Sequence, residues 1–262
     1  MSHASPSVCP LVRGFDRAAE MYERSRPGYP AAAVRFLVRR LGLGPCRTVV
    51  ELGSGTGKLT RALLPSGAAV VAIEPVAGMR RVFERELPST LVLDGVAEAI
   101  PLPDGFAEAV VAAQAFHWFR TRAALREIER VLRPGGHLGL LWNDRLSTTP
   151  VARRLNRLLR RWGEQAAHAP GDAWKATFDR GGHGFGPLAF RSFAHEQSMR
   201  PETLVERVLS VSVIATLRPE RRREVVDEVR SILADEGVEE AHTVRIPYRT
   251  EVYLARRSRR SA

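Results

Sequence analysis

Closely spaced glycines and two acidic residues in the first third of the chain could form a ligand-binding site. The segment from Glu51 to Gly57 reads E-L-G-S-G-T-G, follows the β-branched pair Val49-Val50, and precedes a helical pattern that begins near Leu59. A strand, a glycine turn and a helix open a nucleotide-binding α/β unit, where glycines let the backbone turn tightly and let a ligand approach without meeting a Cβ atom. The segment therefore predicts a binding turn.

Two other glycine motifs do not fit this segment. A dinucleotide fingerprint needs glycine three residues after Gly55, and that position is Lys58. A phosphate-binding P-loop ending at Gly57-Lys58 needs glycine where Leu52 stands and Ser or Thr where Leu59 stands. The sequence thus argues against both a dinucleotide site and a nucleoside triphosphate site.

The second acidic residue, Glu74, ends the continuous apolar run Ala69–Ile73 and lies 17 residues after Gly57. Continuous apolar runs are typical of buried parallel strands. In α/β nucleotide sites, an acid at the end of the second strand holds the two ribose hydroxyls. The glycine turn and the spaced acid together favour a nucleotide-type site over a glycine turn with no ligand.

The elements that must position this site follow from the hydrophobic pattern. Apolar runs that alternate with helical patterns predict one doubly wound α/β domain with helical insertions over its catalytic edge. Within 1–262 we expect a cofactor-binding core (15–144), a helical cap or acceptor region (145–240) with a strand at 188–196, and a last strand at 246–255. The core strands are predicted at 48–52, 69–73, 90–94, 109–113 and 137–142.

The pattern E-x-G-x-G-x-G after a strand resembles motif I of the class I S-adenosylmethionine-dependent methyltransferases. Four further segments are similar to a bacterial and fungal small-molecule subgroup that includes relatives of the trans-aconitate methyltransferases. They are the leader Y-x-x-x-R-P-x-Y-P at Tyr22–Pro30, G-V-A-E-A-I-P-L-P-D at Gly95–Asp104, Q-A-F-H-W-F at Gln114–Phe119 and L-R-P-G-G at Leu132–Gly136. The resemblance runs from residue 15 to residue 144 and implies a Rossmann-like, seven-stranded sheet, mostly parallel with an antiparallel last strand.

The resemblance implies S-adenosyl-L-methionine as the cofactor, with the leader lying over it. Tyr22 and Tyr29 would cap the methionine end, and Arg26 would lie near the cofactor carboxylate. Many relatives carry Asp where this chain has Val96, so adenine would be held by backbone and apolar walls here. The expected cofactor-binding residues are Tyr22, Arg26, Glu51, Gly53, Ser54, Gly55, Gly57, Glu74, Pro75, Met79, Ala97, Glu98, Gln114, His117 and Trp118.

Methyl transfer from a sulfonium requires alignment and exclusion of water more than a nucleophile or a metal. His117 and Tyr22 are the candidate catalytic residues; an imidazole can accept a proton near neutral pH, but His117 could instead only orient its loop. A small-molecule methyltransferase is the leading interpretation. An RNA or protein methyltransferase and a cofactor-binding protein without transfer activity are the alternatives, and the acceptor atom cannot be read from the sequence.

Composition limits the possible partners. The formal net charge is +11, but 40 basic residues include only two lysines, Lys58 and Lys175, and the arginines are spread along the chain. That skew is typical of GC-rich coding rather than of nucleic-acid binding. The tail 256–260 and the basic face of a helix at 151–162 are expected to be solvated. Two cysteines, Cys9 and Cys46, and no apolar membrane span favour a reduced, cytoplasmic protein without a metal site.

Overall fold

A computed structural model describes residues 14–119, 121–163, 174–179, 184–239 and 241–258. Its centre is a seven-stranded sheet with the strand order β3-β2-β1-β4-β5-β7-β6. The strands are β1 (Thr48–Leu52), β2 (Ala69–Ile73), β3 (Leu91–Leu93), β4 (Ala107–Ala113), β5 (Leu132–Arg145), β6 (Ala189–Met199) and β7 (Val244–Arg256).

Strand direction follows the pattern predicted for a Rossmann-like sheet. β1 is parallel to β2 and β4, and the pairs β2–β3 and β4–β5 are also parallel. The last strand, β7, is antiparallel to both of its neighbours, β5 and β6. The chain order reverses between β1 and β4, so the carboxyl ends of these two strands flank the crevice where open α/β sheets bind ligands. The predicted fold class is confirmed.

Helices cover both faces of the sheet and extend over one edge. They are α1 (Gly14–Ser25), α2 (Ala31–Leu41), α3 (Lys58–Leu63), α4 (Ala77–Glu86), α5 (Thr121–Val131), α6 (Pro150–Arg161), α7 (Lys175–Asp179), α8 (Pro201–Leu209), α9 (Ser212–Ala215) and α10 (Pro219–Asp235). Short 3₁₀ turns lie at Leu64–Ser66 and Phe116–Trp118.

The central strands are apolar on both faces because each face meets a helical layer. Val49 packs with Leu37 of α2 on one side, whereas its neighbour Val50 packs with Ile128 of α5 on the other. Successive strand residues point to opposite faces, so a strand buried on both faces must be apolar at every position. This requirement explains why the strands could be recognised as continuous apolar runs.

The region after residue 145 forms a separate hydrophobic cluster at the carboxyl edge. Residues of α6, α8 and α10, including Leu155, Leu204 and Val225, pack with Ile246 and Tyr248 of β7. The sequence analysis expected the basic face of α6 to be solvated, but part of this face forms ion pairs. Its arginines pair with acidic residues of α10: Arg154 pairs with Asp235 and Glu236, and Arg161 with Glu228.

Four strands, β4, β5, β6 and β7, are longer than the sequence analysis predicted. β5 extends to Arg145 and β6 to Met199, because β7 offers hydrogen-bonding partners along its whole length, for example Tyr248 opposite Arg145 and Val244 opposite Met199. None of the described helices combines the length and the apolar composition that a membrane crossing requires. Some segments named in the sequence analysis lie outside the described residues. They are residues 1–12 with Cys9, the glycine-rich residues 181–183, and the tail arginines Arg259 and Arg260.

Candidate active site

The three glycines of the turn after β1 have different surroundings, although all have positive φ values of +64°, +57° and +86°. A Cβ atom added to Gly53 would lie 2.6 Å from the Cβ of Ala115, and one added to Gly57 would lie 2.6 Å from Leu87 Cδ1. A Cβ added to Gly55 would meet nothing within 4 Å. Gly53 and Gly57 are therefore required by packing, whereas Gly55 leaves open space beside the backbone.

A cleft lies beside this turn, between the carboxyl ends of β1, β4 and β5 and the segment that follows α1. Its lining includes six of the predicted site residues and extends to the cap. The lining residues are Tyr22, Arg26, Pro27, Tyr29, Glu51, Gly53, Ser54, Thr56, Lys58, Leu59, Ala113, Gln114, Asn143 and Arg207.

The turn presents polar side chains that the protein itself does not satisfy. Ser54 is 7% exposed and Thr56 is 0% exposed, and the hydroxyl groups of both are buried. Neither hydroxyl has a hydrogen-bond partner among the described residues. Buried polar groups in folded proteins nearly always have a partner. These two hydroxyls therefore suit a polar ligand in the cleft.

Glu74 holds the glycine turn in place from the end of β2. One carboxylate oxygen accepts from the Gly55 amide at 2.8 Å, and the other accepts from the Val76 amide at 2.8 Å. Each oxygen has a second lone pair, so the carboxylate can still accept from a ligand hydroxyl. Burial raises the pKa of Glu74 to about 7, although the two amide hydrogen bonds act in the opposite direction.

Glu51 is the most perturbed acid of the cleft. It is the penultimate residue of β1, with only 1% of its surface exposed, and the Thr60 hydroxyl donates to its carboxylate. Burial raises the pKa of Glu51 to about 8; the Thr60 bond lowers it and the neighbouring Glu74 charge raises it further. Near neutral pH the Glu51 carboxyl group is therefore mainly protonated.

Without bound ligand, the free energy of unfolding is expected to fall with rising pH between about 4.5 and about 8, and the slope is best measured above pH 6.5. An unperturbed carboxyl group ionises near 4.5, whereas Glu51 and Glu74 in the folded protein hold their protons to about 8 and about 7. The folded state thus binds more protons than the unfolded state in this range, and the stabilisation present at low pH is lost as the pH rises. Urea unfolding at a series of pH values measures this slope.

The variant Glu51→Gln should flatten the slope, because an amide does not ionise. Glu20→Gln is the control: the Arg85 hydrogen bond lowers the Glu20 pKa below 4.5, so its contribution changes only at acidic pH. Burial lowers the pKa of His137 and His195 from 6.5. Their contributions to the pH dependence of stability therefore lie below pH 6.5. An unchanged slope in the Glu51 variant would show that its carboxyl is ionised in the folded protein.

Polar contacts hold the leader beside the cleft, and its two tyrosines also pack against apolar side chains. Lys58 Nζ, at the start of α3, donates to the carbonyl of Glu23 at 2.6 Å. Asn143 Nδ2 donates to the carbonyl of Gly28 at 3.0 Å, and Gln197 Nε2 donates to that of Ser25 at 2.9 Å. The leader therefore lines the cleft, and its position over a ligand stays a prediction.

Tyr22, Arg26 and Tyr29 contribute one wall of the cleft. The Arg26 guanidinium lies 4.9 Å from the centre of the Tyr22 ring, and its Nε donates to the Ser210 hydroxyl at 3.0 Å. Burial raises the pKa of Tyr22 and raises that of Tyr29 well above its usual value. Both tyrosines are therefore neutral phenols at physiological pH.

His117 and Trp118 lie in the 3₁₀ turn that follows β4. His117 Nδ1 accepts from Trp142 Nε1 at 3.4 Å, and the His117 and Trp118 rings lie 5.0 Å apart. Trp118 also makes an edge contact with Phe15 of α1, with ring centres 6.1 Å apart. The turn thus connects β4 to both α1 and β5.

The other predicted site residues lie around the second and third strands. Met79 packs in a small hydrophobic cluster with Val76 and is 3% exposed. Ala97, at 4%, belongs to the main core, while Pro75 and Glu98 are half-buried. The structure therefore places six predicted site residues around one cleft, whereas Met79 and Ala97 have clear packing roles of their own.

Several residues of the cleft were missed by the sequence analysis, among them Thr56 of the turn, Asn143 of β5 and Arg207 of α8. Asn143 lies two residues before the end of β5. Its backbone carbonyl accepts from Gln114 Nε2 at 3.0 Å, and its side-chain oxygen accepts from the Thr250 hydroxyl at 2.6 Å. A polar residue at the carboxyl end of a strand is a readable signal. Arg207 has no such signal, because only the folding of the cap brings α8 to the cleft.

Comparison with known proteins shows which family this chain resembles. A family model described as a methyltransferase domain matches residues 50–140. An uncharacterized methyltransferase of Mycobacterium tuberculosis is 35% identical over 242 residues, which cover 90% of this chain and 92% of that protein. An uncharacterized methyltransferase-like protein of Schizosaccharomyces pombe is 31% identical over 246 residues, covering 92% and 94%.

A solved structure shares the fold at low sequence identity. Phosphoethanolamine N-methyltransferase 2 of Haemonchus contortus, in complex with phosphomonomethylethanolamine and S-adenosylhomocysteine, aligns with a TM-score of 0.56 and 15% identity. The alignment covers 97% of this chain and 61% of that one.

Proposed function

The chain belongs to the class I S-adenosylmethionine-dependent methyltransferases, and on that premise we propose that its cleft transfers a methyl group to a small-molecule acceptor. The cofactor is S-adenosylmethionine. The observation that carries the proposed site is the surroundings of Gly55, whose backbone borders open space while its amide is held by Glu74. A cofactor can approach the backbone there.

The residues present fit this cofactor. The unsatisfied hydroxyls of Ser54 and Thr56 and the remaining lone pairs of Glu74 suit the polar groups of a nucleoside joined to an amino acid. We assign Glu74 to the ribose hydroxyls, and the turn, Glu51 and the leader to the methionine end. The adenine would lie toward Pro75, Met79, Ala97 and Glu98, with Val96 in place of a side-chain acceptor.

When bound, the cofactor supplies an electrophilic methyl carbon on its sulfonium. The chain's own contribution is to align the acceptor with that carbon and to exclude water. Tyr22 and Tyr29 are neutral, half-buried rings suited to covering the methyl group. His117 and Trp118 follow β4 at the edge where the acceptor would enter, and we propose that His117 takes up a proton where the acceptor must lose one.

The acceptor side is proposed to be the cap, residues 145–240, together with the leader. The leader is joined to the sheet by contacts such as Asn143 to Gly28 and Lys58 to Glu23. Polar contacts of this kind can break and re-form when product leaves, as a lid requires. We propose this opening for residues 15–30.

A small-molecule acceptor is favoured over RNA or protein because the leader and cap enclose the cleft. The leader and the Q-A-F-H-W-F segment support membership of the small-molecule subgroup that includes relatives of the trans-aconitate methyltransferases. Basic residues on α6 add no evidence for RNA, since Arg154 and Arg161 pair with α10.

The test is transfer of labelled methyl groups from S-adenosylmethionine to three separated fractions of a bacterial extract. We expect label in the low-molecular-mass fraction, with RNA and protein unlabelled. Label in RNA that resists physiological salt, or in protein, would reject the small-molecule proposal. Binding of S-adenosylhomocysteine without label in any fraction would instead favour a cofactor-binding protein.

A further inference from the structure

A second concave surface lies at the amino edge of the sheet, on the side opposite the cleft, and has a volume of about 380 Å³. Arginines from separate parts of the sequence line it, together with one acid and one histidine. We call this surface the basic groove; its charged and titratable lining residues are Arg39, Arg40, Arg47, Arg133, Glu108 and His137. Arginines that are spread along the sequence therefore converge at one place in the fold.

Three arginines of the basic groove have no acidic partner among the described residues. Arg39 and Arg40 lie in the last turn of α2, and Arg47 directly precedes β1. All three are exposed, and none forms an ion pair or a side-chain hydrogen bond with another described residue. The end of α2 does not need these side chains as caps, because the backbone amides of Gly42 and Leu43 donate to its last carbonyls. The three guanidinium groups are therefore available to a ligand.

The acid that lines the groove is already bound by the protein. Glu108 pairs with Arg133, and its other carboxylate oxygen accepts from the Thr48 amide at 2.7 Å. Glu108 is only 9% exposed, so these internal contacts account for its position. One carboxylate cannot neutralise four guanidinium groups. The groove therefore keeps a net positive charge.

His137 lies within the electric field of this charge. It faces Arg256 of β7 across the sheet, and Arg256 Nε donates to the Gly135 carbonyl at 3.3 Å. Burial lowers the pKa of His137, and the charges of Arg256 and Arg40 lower it further. Nearby cations disfavour a proton on the ring. A bound anion would have the opposite effect, so His137 can report whether an anion occupies the groove.

We propose that the basic groove binds a ligand that carries a diphosphate group. Guanidinium groups present forked N–H donors that match phosphate oxygens. A carboxylate carries a single charge, whereas linked phosphates carry several and therefore suit three unpaired arginines from two segments of the chain. The volume of the groove lies within the roughly 300–1,000 Å³ range of small-molecule sites, which favours a compact anion over a nucleic-acid strand.

Two sources can supply this group, free diphosphate and a nucleoside diphosphate. Calorimetric titration with sodium diphosphate and with uridine diphosphate distinguishes them. If a nucleotide is the ligand, uridine diphosphate should bind at least about tenfold more tightly than free diphosphate. Equal or weaker binding of uridine diphosphate would identify free diphosphate as the ligand. The site is separate from the cleft, so this result does not depend on the proposed methyl transfer.

Nuclear magnetic resonance of the histidine rings shows where the probe binds. The signal that disappears in His137→Gln belongs to His137. Diphosphate in the groove neutralises arginine charge beside this ring, so it should raise the pKa of His137 in the wild-type protein. The pKa is measured from the ring signal at a series of pH values with and without diphosphate.

The triple variant Arg39→Gln/Arg40→Gln/Arg47→Gln should bind diphosphate at least about tenfold more weakly than the wild-type protein. The corresponding triple lysine variant keeps the charge without the forked donors, and its affinity should be intermediate. Melting temperatures show whether each variant is folded, and the lysine variant tests the proposal if the glutamine variant does not fold.

A control variant loses the same charge outside the groove. Arg122→Gln/Arg126→Gln/Arg230→Gln changes exposed arginines of α5 and α10. It should bind diphosphate within about twofold of the wild-type protein. An equal loss of affinity in the two triple glutamine variants would overturn the proposal, since binding would then follow total charge.

Two further results would also overturn it. One is a wild-type His137 pKa that does not change when diphosphate is added to about 1 mM. The other is a short single-stranded RNA that binds more tightly than both diphosphates and loses this affinity in the groove variant. That result would show that the groove binds nucleic acid instead of a small anion.

Discussion

Replacing Glu74 with alanine is expected to weaken S-adenosylmethionine binding at least about tenfold, since hydrogen bonds to a charged group contribute roughly 1.5–3 kcal/mol each. Two losses combine. The ribose hydroxyls lose their proposed acceptor, and the amides of Gly55 and Val76 lose the carboxylate that fixes the turn. Titration calorimetry of the variant with S-adenosylhomocysteine measures the effect.

Glu108→Ala is the matched control for this variant. Glu108 is also a buried acid that accepts from a backbone amide, that of Thr48 at 2.7 Å, but it lies at the opposite, amino edge of the sheet. It should reduce stability without changing cofactor affinity. Glu74→Gln keeps one acceptor oxygen and should fall between wild type and Glu74→Ala. A change below about twofold in Glu74→Ala would mean that another residue holds the ribose.

The strand–turn–helix unit around Gly55 was predictable because it is local in sequence. Its strand is buried on both faces and therefore apolar throughout, and its turn needs positive φ values that favour glycine. Sequence reasoning also placed Glu74 at the end of β2, where the structure has it. It did not predict that Glu74 accepts from the Gly55 amide, because that contact depends on the register of β1 against β2.

Features that depend on tertiary contacts were not predictable. The last residues of β5 are polar and do not read as a strand; they are extended because β7 pairs with them, as Thr250 does with Asn143. Arg207 reaches the cleft only after α8 packs on α1. Likewise, the charged face of α6 looked solvated in sequence, since its partners on α10 lie about 70 to 80 residues later in the chain.

The sequence could not show that the three glycines of the turn have different surroundings. All three fit the family pattern, but only the structure distinguishes their surroundings. Gly53 and Gly57 would clash with Ala115 and Leu87, so their substitution should damage the turn itself. Gly55 borders open space, and its substitution can therefore report on ligand binding separately from packing.

The central claim, that the cofactor binds against the turn after β1, is tested most directly by titrating Gly55→Val with S-adenosylhomocysteine. The added side chain would project into the open space where the ligand must approach. Gly105→Val is a close control, because Gly105 has φ of +62° against +57° for Gly55 and also has nothing within 4 Å of an added Cβ. Both variants carry the same cost of a β-branched residue at positive φ.

The account predicts that both variants remain folded, with similar losses of melting temperature relative to wild type. Gly105→Val should bind S-adenosylhomocysteine with wild-type affinity, whereas Gly55→Val should bind at least about a hundredfold more weakly. Wild-type affinity in a folded Gly55→Val protein would contradict the account, because the cofactor would then have to bind elsewhere.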